Sequence, residues 1–417
     1  MVDPRSIMSE VNGIIDSGEI RAVYQPIVDL DRGGVVAYES LARGPEGSRL
    51  ERPDLLFEAA RACGRVADLD WLCRAAAVRG ALQAGLGAPF TLFLNVEPDA
   101  LHKPVPQSLK ATWLQATERL RVMLEITERA LTDRPTELLW SVEWARELGW
   151  GVALDDVGAD PRSLAMLPFL RPDVIKLDLR LIQQQPTSEM AGTIHAVAAE
   201  AERTGAVILA EGIETDRHLE TARAMGACLG QGWLLGRPAE MPSQLPQPGP
   251  GTRIATRHWE VPVGHTPYDI ISRRRPVRRG NKRMLFAMSR ALENAARDLP
   301  EKPVILSTFQ DERFFTHATR DLYARLAHEA AFVAAFGVGL GPVPAPGIRG
   351  ARLFSKDPLR GEWVVVVLGA HFAAAFAARD LGDDGPDPAR RFDHVMTYDR
   401  DLVIKVALSL MARVLAL

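Results

Sequence analysis

Polar side chains recur at the trailing ends of successive apolar runs: Glu39 in YESLAR, Asn95 in FLNVEP, Glu125 in LEITE, Asp155 and Asp156 in ALDDVG, and Glu211 in LAEGIE. Lys176 in VIKLD and Gln231 in LGQGW extend the series. Glu39, Asn95, Glu125, Asp155 and Asp156 are hard oxygen donors with no cysteine or histidine among them, a set that selects Mg2+ or Mn2+ over Zn2+. Asp155 and Asp156 would repel each other if both were ionised with no cation beside them. A carboxylate placed between two metal ions removes that conflict and matches the arrangement that cleaves phosphodiesters. In such a site Glu211 can accept a proton from the attacking water, and Lys176 can hold that water or offset charge on phosphate oxygens. Taken singly, a carboxylate at a strand end is more often a helix N-cap or a solvated residue, and Lys176 alone could be an ion-pair partner of Asp155. The metal reading rests on the set, because so many uncompensated carboxylates in one place would be electrostatically costly.

Bringing these side chains together requires strands that end at one rim. From Arg21 to about Pro238, short apolar runs alternate with longer helical patterns, the rhythm of a parallel sheet covered by helices. Eight runs read as strands: AVYQPIV, VVAYESL, FTLFLNV, VMLEIT, GVALDD, DVIKLDL, AVILAEG and the segment from Cys228 to Trp233. Helical patterns such as TELLWSVEWAREL and SEMAGTIHAVAAEAERTG separate them, the second closed by Gly205. The expected fold is α/β, a modified TIM-like (β/α)8 barrel with catalytic groups at the carboxyl ends of its strands. Only DRGG joins the first two runs, which leaves room for a hairpin but not a helical crossover, so one strand should run antiparallel.

At 417 residues the chain is long enough for two hydrophobic cores. Proline and glycine concentrate in MPSQLPQPGPG, Met241 to Gly251, as in a stiff linker. The expected division is a barrel over residues 1–240, a Pro/Gly-rich linker over 241–263 and a second, smaller α/β domain over 264–417. That second unit reads as a basic helix-like segment, a strand PVILSTF, a helix through FFTHATRDLYARLAHEAA, a loop from Gly337 to Gly350 and a closing helix from Arg400. Trp363 to Ala378 reads as a β-branched strand followed by an alanine-rich helix, too short to span a bilayer. Leu402, Val406, Leu410 and Val414 recur at helical spacing, a stripe that suits internal packing better than a dimer seam.

With 47% hydrophobic residues and a formal net charge of -3, composition names neither nucleic acid nor an acidic partner. The basic run Arg273, Arg274, Arg275, Arg278, Arg279, Lys282 and Arg283 lacks an aromatic platform, which favours a solvated or acid-docked segment over DNA binding. The opening MVDPRSIMSEVNGIID fits a short amphipathic helix rather than a signal peptide. Cys63, Cys73 and Cys228 share no metal-ligand spacing and suit buried thiols in a reducing compartment. His317, His328, His371 and His394 are likewise scattered. The expectation is a cytoplasmic protein without a membrane anchor.

Residues from about Tyr24 to Pro238 resemble the EAL domain, the family of cyclic di-GMP phosphodiesterases, in YQPIVDL, ESL at Glu39 to Leu41, LNVEP, LEITE, DD, DVIKLD, AEGIET and GQGW. The resemblance implies hydrolysis of cyclic di-GMP to linear pGpG with two Mg2+ or Mn2+ ions per site. It implies Glu39, Asn95, Glu125, Asp155 and Asp156 as ligands, Lys176 and Glu211 as catalytic groups, and Gln231 as support for the second metal or its water. It also implies Gln25, Leu41, Arg43 and Asp178 as substrate contacts. The planar fork of Arg43 suits phosphate, whereas Gln25 reads equally well as an ordinary hydrogen-bonded strand residue. Glu128 resembles the glutamate that holds the loop after the aspartate pair, a loop that in the family couples metal binding to homodimer packing. Here that loop reads DDVGADPRS in place of DDFGTGYSS, with Val157, Ala159, Asp160, Pro161 and Arg162 departing from the pattern. A catalytically weak or inactive cyclic di-GMP receptor acting through protein contacts is the alternative. From about Thr266, SRALENAA, STFQDERFFTHATRDLYARLA, DPLRGEWVVVVLGAHFAAAF and RRFDHVMTYDRDLV resemble the DICT sensory domain. That resemblance implies regulation of the barrel through a signalling protein or an unknown small ligand.

Overall fold

The computed structural model describes residues 4–100, 103–127, 135–247, 254–256, 265–354, 356–383 and 386–414. Glu128 and residues 248–253 and 257–263 of the expected linker lie outside them. The chain divides into two compact units, one comprising Met1–Leu131, Trp140–Ala159 and Arg171–His258, the other Thr132–Leu139, Asp160–Leu170 and Trp259–Leu417. No helix among the described residues is long and apolar enough to cross a membrane.

In the first unit β1 (Arg21–Asp29), β2 (Val35–Arg43), β3 (Thr91–Val96), β4 (Arg121–Thr127), β5 (Gly151–Val157), β6 (Val174–Leu177), β7 (Val207–Ala210) and β8 (Leu229–Gly230) close a barrel in chain order. β1 pairs antiparallel with both β2 and β8, so it is the reversed strand that the short connection demands. Asp29 shapes that connection: its Oδ1 accepts the backbone N–H groups of Asp31 at 3.0 Å and Arg32 at 2.9 Å, and Gly33 takes φ +78°. The helix Ser188–Thr204 ends at Gly205 in the left-handed conformation, as its sequence indicates.

The barrel interior is layered with the period of two that a strand imposes. One layer is apolar and takes one residue from each strand: Ile27, Ala37, Phe93, Met123, Ala153, Val174, Leu209 and Leu229. Ile254 packs against the same cluster, and its carbonyl accepts a 2.6 Å hydrogen bond from Arg121 Nη2. Two positions further along β2 to β6, or just beyond β7 and β8, stand Glu39, Asn95, Glu125, Asp155, Lys176, Glu211 and Gln231. Because β1 runs the opposite way, its member Gln25 comes two positions before Ile27. An apolar floor thus underlies a polar layer.

The second unit holds a seven-stranded sheet in the order β12-β11-β10-β13-β14-β15-β9. Its strands are β9 (Arg278–Asn281), β10 (Val304–Asp311), β11 (Phe332–Val338), β12 (Arg349–Arg352), β13 (Glu362–Leu368), β14 (Ala373–Asp380) and β15 (Arg391–Thr397). Two readings of the sequence are corrected. The alanine-rich segment is strand β14, hairpinned to β13 with Leu368 opposite Ala373, and buried over most of its length. Glu301 fixes the turn by accepting the backbone N–H groups of His371 and Phe372, and this pairing outweighs alanine's preference for helix. The basic run contains the edge strand β9 between the helices Pro267–Ser272 and Lys282–Arg297. Arg275, Arg279 and Lys282 pair with Asp399, Asp393 and Asp387 of the same unit. The stripe Leu402, Val406, Leu410 and Val414 is buried.

Candidate functional site

The polar layer converges on Lys176. Its ammonium is fully buried and lies 2.6 Å from Glu125, 2.8 Å from Glu211, 2.9 Å from Asp155 and 3.6 Å from Glu39. In-register pairing sets the neighbours, with Gln25 opposite Glu39 across β1 and β2 and Asn95 opposite Glu125 across β3 and β4. Asn95 Nδ2 donates to Glu39 Oε1 at 2.9 Å, and Gln231 Nε2 donates to Glu39 Oε2 at 2.7 Å. Both amides therefore face Glu39 with N–H groups and hold its two oxygens in place. Gln25 completes the frame, accepting from Gln231 at 3.2 Å and donating to the Gly236 carbonyl at 3.0 Å.

Asp155, Asp156 and Glu211 each offer an oxygen within 4.8 Å of the others. Consecutive residues of a regular strand point to opposite faces, so bringing both aspartates to one place needs a break in the strand. The pairing of β5 with β6 shifts register between Leu154 and Val157, and Asp156 takes φ +58°, a strained conformation for a residue other than glycine.

Burial pushes the Glu125 carboxyl well above the ordinary range, and Glu39 adds to the effect against the pull of Lys176. Burial and then Asp155 raise Asp156 from 3.8 to about 6. Glu211 is raised by burial against the opposing pull of Lys176, with Asp155 adding to the rise. For Glu39 burial is outweighed by Lys176 and by the hydrogen bonds from Asn95 and Gln231, so its carboxyl is lowered. Burial opposes the charge on Lys176 too, but the carboxylates around it overcome that and raise its pKa well above the ordinary value.

Five carboxylates, those of Glu39, Glu125, Asp155, Asp156 and Glu211, thus gather round one ammonium. Oε1 of Glu125 and Oδ1 of Asp155 are buried and face the Lys176 ammonium, while Oε2 of Glu125 is buried with no hydrogen bond from a protein donor. An all-oxygen donor set with surplus negative charge and unused lone pairs fits hard divalent cations.

Leu41 and Arg43 line a cavity of about 300 Å3 together with Glu39 and Asn95. Asp178 is not among the residues lining that cavity; it caps the helix Leu179–Gln183, accepting the Arg180 backbone N–H at 2.8 Å and pairing with that residue's Nε at 2.8 Å. Glu128 lies outside the described residues. Phe57, Asp70 and Arg74 also line the cavity, from the helices Pro53–Ala62 and Val66–Gln83, and the strand-end pattern does not reveal them. Their one signal is a charged Asp70–Arg74 pair on an otherwise apolar stretch of helix.

Residues 8–238 match the family model described as the EAL domain, and residues 272–381 match the one described as the sensory domain in diguanylate cyclases and two-component systems. The protein named cyclic di-GMP phosphodiesterase RocR, of Pseudomonas aeruginosa, is 33% identical over 246 residues, which cover 57% of this chain and 62% of that protein. Probable cyclic di-GMP phosphodiesterase PdeB, of Escherichia coli, is 29% identical over 248 residues, 54% of this chain and 43% of its own length. The chain therefore covers less than two thirds of either relative. The solved structure of the PaMucR phosphodiesterase in complex with c-di-GMP shares the fold, with a TM-score of 0.50 and 24% identity over 56% of this chain and 97% of that one.

Proposed function

The chain belongs to the EAL domain family, and from that premise we propose that its barrel is a metal-dependent phosphodiesterase that hydrolyses cyclic di-GMP to pGpG. The observation that carries this reading is the fully buried Lys176 encircled by Glu39, Glu125, Asp155 and Glu211, more negative charge than one ammonium offsets. Glu39, Asn95, Glu125, Asp155 and Asp156 would hold two Mg2+ or Mn2+ ions, with Gln231 in support. Such ions, when bound, supply positive charge at the scissile phosphate and acidify water there. Glu211 accepts the proton of the attacking water, a task for which its raised proton affinity suits it. The water oxygen bonds to phosphorus as the bond from phosphorus to the ribose 3′-oxygen breaks, and that oxygen takes up a proton from solvent to become a hydroxyl, leaving a linear dinucleotide with a 5′-phosphate. Lys176 steadies Glu211 and faces the charge that grows on the phosphate oxygens. Arg43, with Leu41 beside it in the cavity, orients the phosphate. Gln25 contacts the substrate and, through its hydrogen bond from Gln231, helps hold Glu39.

This reading extends to a homodimer, a cytoplasmic location and control of turnover by the second unit, whose match to a sensory family supports a regulatory task. Purified full-length protein incubated with cyclic di-GMP and Mg2+ or Mn2+ should release pGpG. Glu211→Gln should lower turnover by about a hundredfold or more while binding persists. A second reading, a receptor that binds cyclic di-GMP without hydrolysing it, draws on the altered loop that follows Asp156. Tight binding with no turnover in either the parent or the variant would establish the receptor and sink the enzyme.

A further inference from the structure

A second cavity of about 660 Å3 lies in the first unit and shares Arg74 and Val96 with the cavity that Glu39 and Asn95 line. Its described lining includes Trp71, Trp140 and Trp144 together with Lys103, Lys110 and Arg74, and no acidic side chain. Arg74 is only 4% exposed, forms an ion pair with Asp70 and stacks over the Trp71 ring at 3.7 Å. Its Nη2 faces Asp70 Oδ2 in that pair, whereas its Nε has no hydrogen-bond partner. A guanidinium carries five N–H donors, and leaving such donors unsatisfied in a buried place is costly. The volume falls within the range of small-molecule sites.

We propose that this cavity is a binding site for a purine nucleoside monophosphate, separate from the carboxylate cluster. The exposed indole of Trp140, and the side of Trp144 that Trp113 does not cover, supply flat apolar surface for a base, which stacks on aromatic rings whatever its identity. Lys103 and Lys110 supply positive charge for a phosphate, and Arg74 Nε gains the acceptor it lacks. An uncharged aromatic ligand would leave Lys103 and Lys110 unmatched, and an aliphatic anion would leave the 61% exposed ring of Trp140 in water. The site does not depend on hydrolysis by the barrel.

GMP is the probe, titrated calorimetrically into the full chain with a chelator present. Trp140 is 61% exposed, and Lys103 and Lys110 are exposed as well, so changing them leaves the core intact. Trp140→Ala should weaken GMP binding about tenfold, as loss of a stacking partner does, and Lys103→Ala with Lys110→Ala should weaken it by about the same factor through lost charge-assisted contacts. Arg43→Ala, which alters the other cavity, should leave the affinity unchanged. Absence of GMP binding to the parent protein would overturn the proposal. So would binding that survives the tryptophan and lysine changes but is lost with Arg43→Ala.

Discussion

Lys176 holds its charge with no exposure to solvent because the carboxylates around it overcome the cost of burial. Removing one partner from a buried ionic cluster costs more than the cluster itself contributes, since the charges left behind lose their compensation. Lys176→Met should therefore lower the stability of the metal-free protein by about 3–5 kcal/mol. Mn2+ should restore a large part of that loss, which denaturant titrations with and without the ion would measure. The neighbouring Asp156 sets a pH dependence. Its folded pKa is raised from 3.8 to about 6, so between those values the folded protein keeps a proton that the unfolded chain has released. Stability from this group is thus lost as pH rises through that window. A cation competes with the same proton, so its affinity should fall as pH drops below about 6. Calorimetry of Mn2+ binding in buffers of different ionisation enthalpy should register protons released near that pH and fewer released well above it.

The strand is the element that converts residue spacing into a site. A floor residue and a polar residue two positions apart repeat around the barrel, and reversed β1 obeys the same rule read backwards. Where the polar residue falls beyond the strand, backbone must hold it. Gly232 follows Gln231 with φ +155°, and a Cβ there would collide with the backbone of Ile213. Gly232→Ala should cost on the order of 2 kcal/mol and move Gln231 off Glu39, seen as lower stability together with lower turnover. The strand-end residues are legible in sequence because each interrupts an apolar run at the same phase. Asp70 and Arg74 are not, since their spacing is that of any helical ion pair and only the fold brings them to a cavity wall. Strand β14 reads as helix for a related reason: alanine leads the helix scale, while the pairing of Leu368 with Ala373 and the cover over both faces are tertiary facts. The capping task of Asp178 is equally invisible beside the family motif that contains it.

For the whole molecule, charge is unevenly placed. The chain has a formal net charge of -3, whereas the cluster of five carboxylates and Lys176 alone carries four formal negative charges. The rest of the chain therefore carries a formal net charge near zero, too small a total to exert much long-range pull on an anion. The cluster itself repels one. Cyclic di-GMP has two phosphodiester charges, so on the proposed function an unmetallated barrel should hold it poorly, and binding measured with a chelator should be far weaker than with Ca2+ or Mn2+. The dependence has an order in time as well as a magnitude. In rapid-mixing experiments, protein preloaded with cation should capture nucleotide without delay, whereas protein given both together should show a lag set by cation entry. The buried carboxylates would then act as a clock on the reaction cycle: cation arrives first, nucleotide second, and a cell short of free divalent ions would slow the step before any substrate is touched.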